Sequence, residues 1–304
     1  MKWTRRNDEP ADDTSVDPFA PGEGPVLIHA LDGFLGAGSA SRLAADQLRS
    51  GHGEVVHAFD VDSMYDYRAR RPTIDFVENH YQDYDEPRLE IVLEHDENGL
   101  PYYLLAGPEP DFRWEQFAAE TKQKIDDLGV TLVLGIGAVP MGVPHTRPPM
   151  ITAHGTSPDL VDRQNLWTAQ VTVPSSAQSM LEYRLGQQGY AAAGYVVHVP
   201  HYLAQIDFPD AALALLDALS DRTGLTIDTS DLTAQLEATR VQIAEQIHDQ
   251  GGEELLRGLE EQYDAFSRGA AQSLLAHDEE LPSGDELADQ FELFLERQRK
   301  NDQG

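Results

Sequence analysis

An α/β fold, with a largely parallel sheet carrying helices on both faces and a helical extension at the C-terminus, is predicted by three observations. Short apolar runs alternate with amphipathic stretches of helical spacing between residues 26 and 219. Glycine or proline marks most of the junctions between them. Past Gly224 the strand signals stop, and apolar residues recur only at helical spacing. These shifts divide the chain into a disordered acidic arm over residues 1–24, an α/β domain over 25–224 and a helical extension over 225–304.

The elements follow in order. The run Val26–Leu31 after Pro25 is a buried strand, and a glycine-rich turn leads into a helix over Ala40–Arg49. Val55–Phe59 is a second strand, ending at Asp60 and Asp62. Ser63–Pro87 is rich in Tyr, Asp and Arg, lacks periodicity and is too long for an ordinary connection, so it is expected to be a packed functional or oligomeric segment. Arg88–Glu94 and Tyr102–Ala106 flank Asn98-Gly99, the dipeptide of a tight hairpin. Trp114, Phe117, Thr121, Ile125 and Leu128 define one face of a helix that Gly129 stops.

Val130–Ile136 is the next buried strand, left through a glycine- and proline-rich exit over 137–149 towards a short strand near Met150–Ala153. A helix over 175–188, a strand over Gly194–Val199 and a helix over Asp210–Leu219, entered at Pro209, continue the alternation. In the extension, Leu232, Leu236, Ile243 and Ile247 mark one helix and Leu255, Leu259, Phe266 and Leu274 another. Gly251-Gly252 joins them as an αα-hairpin, packed on the α/β domain or on another subunit. Ser283 and Glu286 form a capping box before a last helix, Leu287–Arg297.

Composition narrows the function. The 304 residues include 53 acidic and 22 basic side chains, for a formal charge of -31. Such a field repels phosphate backbones and anionic lipid, so neither nucleic acid nor membrane is an expected partner, and neutral or basic proteins are better ones. The absence of cysteine excludes disulfides, thiolate catalysis and sulfur-based zinc sites. The N-terminus has no apolar signal core and the longest apolar stretch, Val130–Met141, is too short to cross a bilayer, so a cytoplasmic location is expected.

Two features could carry chemistry. Asp32-Gly33-Phe34-Leu35-Gly36-Ala37-Gly38-Ser39 lies between the first strand and helix, where amides at Gly36, Gly38 and Ser39 could bind an anion. No lysine follows to make a phosphate loop. The dinucleotide fingerprint lacks its third glycine and starts late, so a plain turn is the preferred reading. The second feature is a pair of Pro-His steps, Pro144-His145-Thr146-Arg147 and Pro200-His201-Tyr202, which leave strands at the end of the sheet where loops gather. Asp32, His145 and His201 are then candidate acid–base groups and Arg147 a candidate anion partner. The plainer alternative is that the rings brace proline-rich loops. No His or Asp spacing demands a metal, no Gly-x-Ser-x-Gly elbow occurs, and Ser175 and Ser176 suit a helix cap. No metal or cofactor is expected.

Four blocks occur together in order: Tyr67-Arg68-Ala69-Arg70-Arg71-Pro72, then residues 105–114 from Leu105 to Trp114, then Pro144-His145-Thr146-Arg147-Pro148, and Val199-Pro200-His201-Tyr202. In these the chain resembles actinobacterial members of the proteasome assembly chaperone 2 family over about Val26–Leu219, and its tail is similar to their helical extension. The resemblance implies a three-layer α/β/α fold of the phosphorylase and hydrolase class and a homo-oligomer, with a trimer as one form. It carries no agreed catalytic residues. Proteasome-binding members commonly finish in a hydrophobic residue, a tyrosine and one further residue, whereas here the last four are Asn301, Asp302, Gln303 and Gly304, so docking by that route is not expected. The preferred expectation is a non-catalytic assembly or interaction protein, binding itself and proteasome-related or other proteins. The alternative is an enzyme or binder of a small anionic, nucleoside- or phosphate-containing metabolite at the Gly36 and Pro-His loops.

Overall fold

The computed structural model describes residues 24–161, 170–249 and 251–273. Its elements are β1 (Val26–Asp32), α1 (Ala40–Leu48), β2 (Glu54–Ala58), α2 (Val61–Met64), β3 (Asp75–Val77), β4 (His80–Gln82), β5 (Glu90–His95) and β6 (Pro101–Pro108). Then come α3 (Trp114–Leu128), β7 (Leu132–Met141), β8 (Ile151–Gly155), α4 (Ala177–Gln187), β9 (Ala192–Pro200), α5 (Pro209–Thr223), α6 (Ser230–Asp249) and α7 (Glu253–Ser273). Single 3-10 turns precede α1 and follow β8 and β9.

Seven strands form one mixed sheet in the order β2-β5-β6-β1-β7-β9-β8. The four central strands β6, β1, β7 and β9 run parallel, and the flanking pairings β2 with β5, β5 with β6 and β8 with β9 are antiparallel. The central strands are continuous apolar runs because helices cover both of their faces. Alternate residues of β1 divide the core: Ile28 and Ala30 pack with α1 and α5, while Leu27 and Leu31 pack with α3 and α4. Phe117 and Ile125 of α3 and Leu181 of α4 are buried against that second face. Each fully buried side chain of this size contributes about 1.5–3 kcal/mol. The result is the three-layer arrangement.

The structure shifts one expected boundary and fills in two open points. The glycine-rich exit begins later than expected, because β7 runs on through Pro140 to Met141, paired with β9 as far as Pro200. The segment Ser63–Pro87 begins inside the short α2 and contains a two-stranded hairpin of β3 and β4, separate from the main sheet and exposed along both strands. The helical extension packs on its own α/β domain: Leu232 and Ile243 of α6 are buried in the core with α5, and Leu259 of α7 is buried near Gly142. The capping box at Ser283 and the helix Leu287–Arg297 lie outside the described residues.

Candidate functional site

Because β1, β7 and β9 are parallel, the loops that leave their carboxyl ends emerge at one edge of the sheet, the usual place for a crevice in an open α/β fold. The candidate residues lie on these three loops, apart from Asp32, which ends β1. The loop after β1 is stitched to the other two. Leu35 O accepts the Ala138 amide at 2.8 Å, and Gly36 pairs with Ala138 as a one-residue continuation of the sheet. The Gly38 amide donates to Ala204 O at 2.9 Å, Phe208 N returns a bond to Gly38 O at 2.9 Å, and Ser39 N donates to Gly36 O at 3.1 Å. The amides of Gly38 and Ser39 therefore carry intramolecular partners. Asp32 offers its carbonyl to the Glu109 amide at 2.8 Å and to Arg70 at 3.4 Å, and its carboxylate lies beside Gly36.

The two Pro-His loops meet through Tyr202. Its hydroxyl accepts the His145 amide at 3.0 Å and lies 2.9 Å from His145 Nδ1, to which it can donate its own proton. Burial lowers the His145 imidazole below its ordinary value, with Asp210 and Glu260 pulling it back up. The same burial pushes Tyr202 up to about 12, with the His145 amide opposing. At neutral pH the pair is thus a neutral imidazole and a phenol, an arrangement suited to holding two loops together. His201 is also lowered by burial, against a bond to the Met141 backbone.

Arg147 turns away from the glycine loop towards α7. It makes a two-pronged pair with Asp264, Nε to Oδ1 and Nη2 to Oδ2 both at 2.8 Å, and reaches Glu260 at 3.3 Å. The Asp264 hydrogen bonds raise its already high basicity further. Thr146 donates to Glu260 at 2.5 Å and Tyr263 to Pro148 O at 2.9 Å, so α7 is fastened to this loop at Thr146, Arg147 and Pro148. Between α6, α7 and the turn after β9 lies an apolar recess lined by Tyr202, Leu203, Ile243, Ile247, Leu255 and Leu256.

The structure also assembles polar groups that the sequence reading passed over. Below the crevice, His29 of β1, Gly135 of β7, Gly194 of β9 and His154 of β8 form one row across four strands. A methyl at Gly135 would stand 2.5 Å from His29 Cε1, and one at Gly194 would stand 2.5 Å from His154 Cε1, so the two glycines make the space in which the rings lie. Gln178 of α4 donates to Ile136 O at 2.9 Å and Glu182 bonds His154 at 2.9 Å, closing the row from above. His29 is lowered to about 4, by burial first and by the neighbouring His154 second. Its one signal in the sequence is a lone polar residue in an otherwise apolar strand. Glu109, buried between β6 and α4, is the other. Among the described residues no group of three or more His, Asp or Glu side chains could hold a metal ion, and no helix is long and apolar enough to cross a membrane.

Comparison with known proteins agrees with this architecture. The sequence profile of the PAC2 family matches residues 30–247. A Mycobacterium tuberculosis protein of unknown function is similar at 41% identity and a TM-score of 0.76, over 81% of this chain and 86% of that one. A Corynebacterium glutamicum protein of unknown function follows at 36% identity and a TM-score of 0.75, over 80% of this chain and 91% of that one. A Mycobacterium tuberculosis proteasome-assembly chaperone homologue has 28% identity and a TM-score of 0.67, over 73% of this chain and 95% of its own. A search of curated proteins finds no match.

Proposed function

Since the chain belongs to the PAC2 family, we propose that it is a non-catalytic assembly or interaction protein, working as a homo-oligomer and engaging proteasome-related proteins. The likeness to a proteasome-assembly chaperone homologue supports the assembly role. The observation that carries the interaction role is the β3–β4 arm. Phe76 is 62% exposed and Tyr81 70%, their rings tilted against each other with centroids 5.1 Å apart on a hairpin that the main sheet does not cover. Ile74 and Tyr84, exposed as well, flank the two strands in sequence, and apolar residues gathered on the surface of a folded chain mark sites of association. Metabolite binding is the weaker reading, because the Gly38 and Ser39 amides and the Arg147 guanidinium already have partners within the chain.

The experiment is reconstitution: the purified full chain is mixed with purified proteasome subunits of the same host, and half-assembled and complete particles are followed by native mass spectrometry. A stoichiometric complex that precedes complete particles is the expected result. Absence of any complex, with saturable binding of a phosphate-containing metabolite in its place, would sink this reading.

A further inference from the structure

Glu109 follows β6 and is only 6% exposed, yet both of its carboxylate oxygens are used. Oε2 accepts the Phe34 amide at 2.8 Å, from the loop after β1, and Oε1 accepts the Ala177 amide at 2.6 Å. Ala177 is the first residue of α4, where the backbone amides lack partners inside the helix and the peptide dipoles favour negative charge. The amide of Glu109, bonded to Asp32 O at 2.8 Å, fixes the carboxylate's origin. The floor is made by Gly33: a methyl group there would lie 2.2 Å from Glu109 Oε2 and 2.4 Å from Glu109 Cβ, so no larger residue fits beside the carboxylate.

Two main-chain amides from separate segments, one of them at a helix N-terminus, converging at the carboxyl end of parallel strands, is how an α/β fold seats the carboxylate or phosphate of a ligand. Here the seat is filled by a side chain of the same protein. We propose that Glu109 is a built-in ligand: its carboxylate occupies an anion seat formed by the Phe34 and Ala177 amides, closing it to external anions, and removal of the side chain opens the seat to a small monocarboxylate such as formate or acetate. The inference is independent of the assembly role. The same carboxylate ties the loop after β1 to the start of α4.

The test uses the full chain with Glu109→Ala and Glu109→Gln. The alanine variant melts below the wild type, and its Tm rises saturably with formate or acetate but not with chloride at equal ionic strength, while the wild type shows no difference between these salts. Amide hydrogen exchange at Phe34 and Ala177, fast in the alanine variant, slows again as acetate is added. Equal anion responses in the wild type and Glu109→Ala, or none in the variant, overturn the proposal. Should Glu109→Ala fail to fold, Glu109→Gln decides: its amide nitrogen keeps the volume but cannot accept a bond, so faster exchange at Phe34 or Ala177 supports the proposal and unchanged protection at both overturns it.

Discussion

Arg147 and Asp264 lie 117 residues apart in sequence, and their two parallel 2.8 Å hydrogen bonds join the loop after β7 to α7, the last described helix. Both side chains are partly exposed, at 32% and 44%, so the pair is screened by salt and matters more for where α7 sits than for global stability. Asp264→Asn is therefore expected to leave the melting transition of the α/β domain in place while α7 amides exchange several-fold faster. High salt should reproduce the effect in the wild type, and hydrogen exchange with mass spectrometry reads both.

Two sheet histidines make stability fall with acid. Burial lowers His29 and His198 to about 4, so each is neutral in the folded protein, while in the unfolded chain it takes a proton near its ordinary value of 6.5. Because the folded value is depressed, this stability is fully present above pH 6.5 and is lost as the pH falls from 6.5 to about 4. Each shift corresponds to about 3 kcal/mol. Urea unfolding of His29→Gln and His198→Gln between these pH values should show flatter profiles than the wild type, and parallel profiles would count against the assignment.

The row of rings on glycines makes a steric prediction. Gly135→Ala places a methyl against His29 Cε1 and is expected to cost about 1–3 kcal/mol, as overpacking does. The cost should shrink in the double variant with His29→Ala, since the clash needs both groups, and a double-mutant cycle with no coupling would refute the arrangement.

For the arm, Phe76→Ser combined with Tyr81→Ser should change stability by less than about 0.5 kcal/mol, because both rings are exposed. If the arm joins copies of the chain, the same variant lowers the mass measured by light scattering towards that of a single chain. An unchanged mass would move the interface elsewhere.

The division between what could be read and what could not follows the range of the interactions. The strands at Val26, Val55 and Gly194 and the helices at Trp114 and Asp210 were legible because a buried run, a helical stripe, a cap or an Asn-Gly turn is written within a dozen neighbouring residues. Where β7 ends was not, because Gly137 and Pro140 carry the local marks of a loop and only pairing with β9 keeps them extended. Ser63–Pro87 stood out by composition, yet the turn of its hairpin, Glu78-Asn79, lacks the glycine that marks the one at Asn98-Gly99.

Sequence by itself determined the α/β class, the helical extension, the acidic field and the absence of sulfur chemistry, since these depend on composition and short-range period. It also placed His145, His201, Arg147 and the Gly36 loop at one end of the sheet. Tertiary structure alone decided what they do there: Arg147 is taken by Asp264, His145 by Tyr202, the Gly38 amide by Ala204, and the Phe34 amide by Glu109. The reason is physical. A hydrogen-bond donor at the mouth of a crevice looks the same in the sequence whether it meets a ligand or its own chain, and the choice is made by residues 57 to 166 positions away, which only the packed fold brings within about 3 Å.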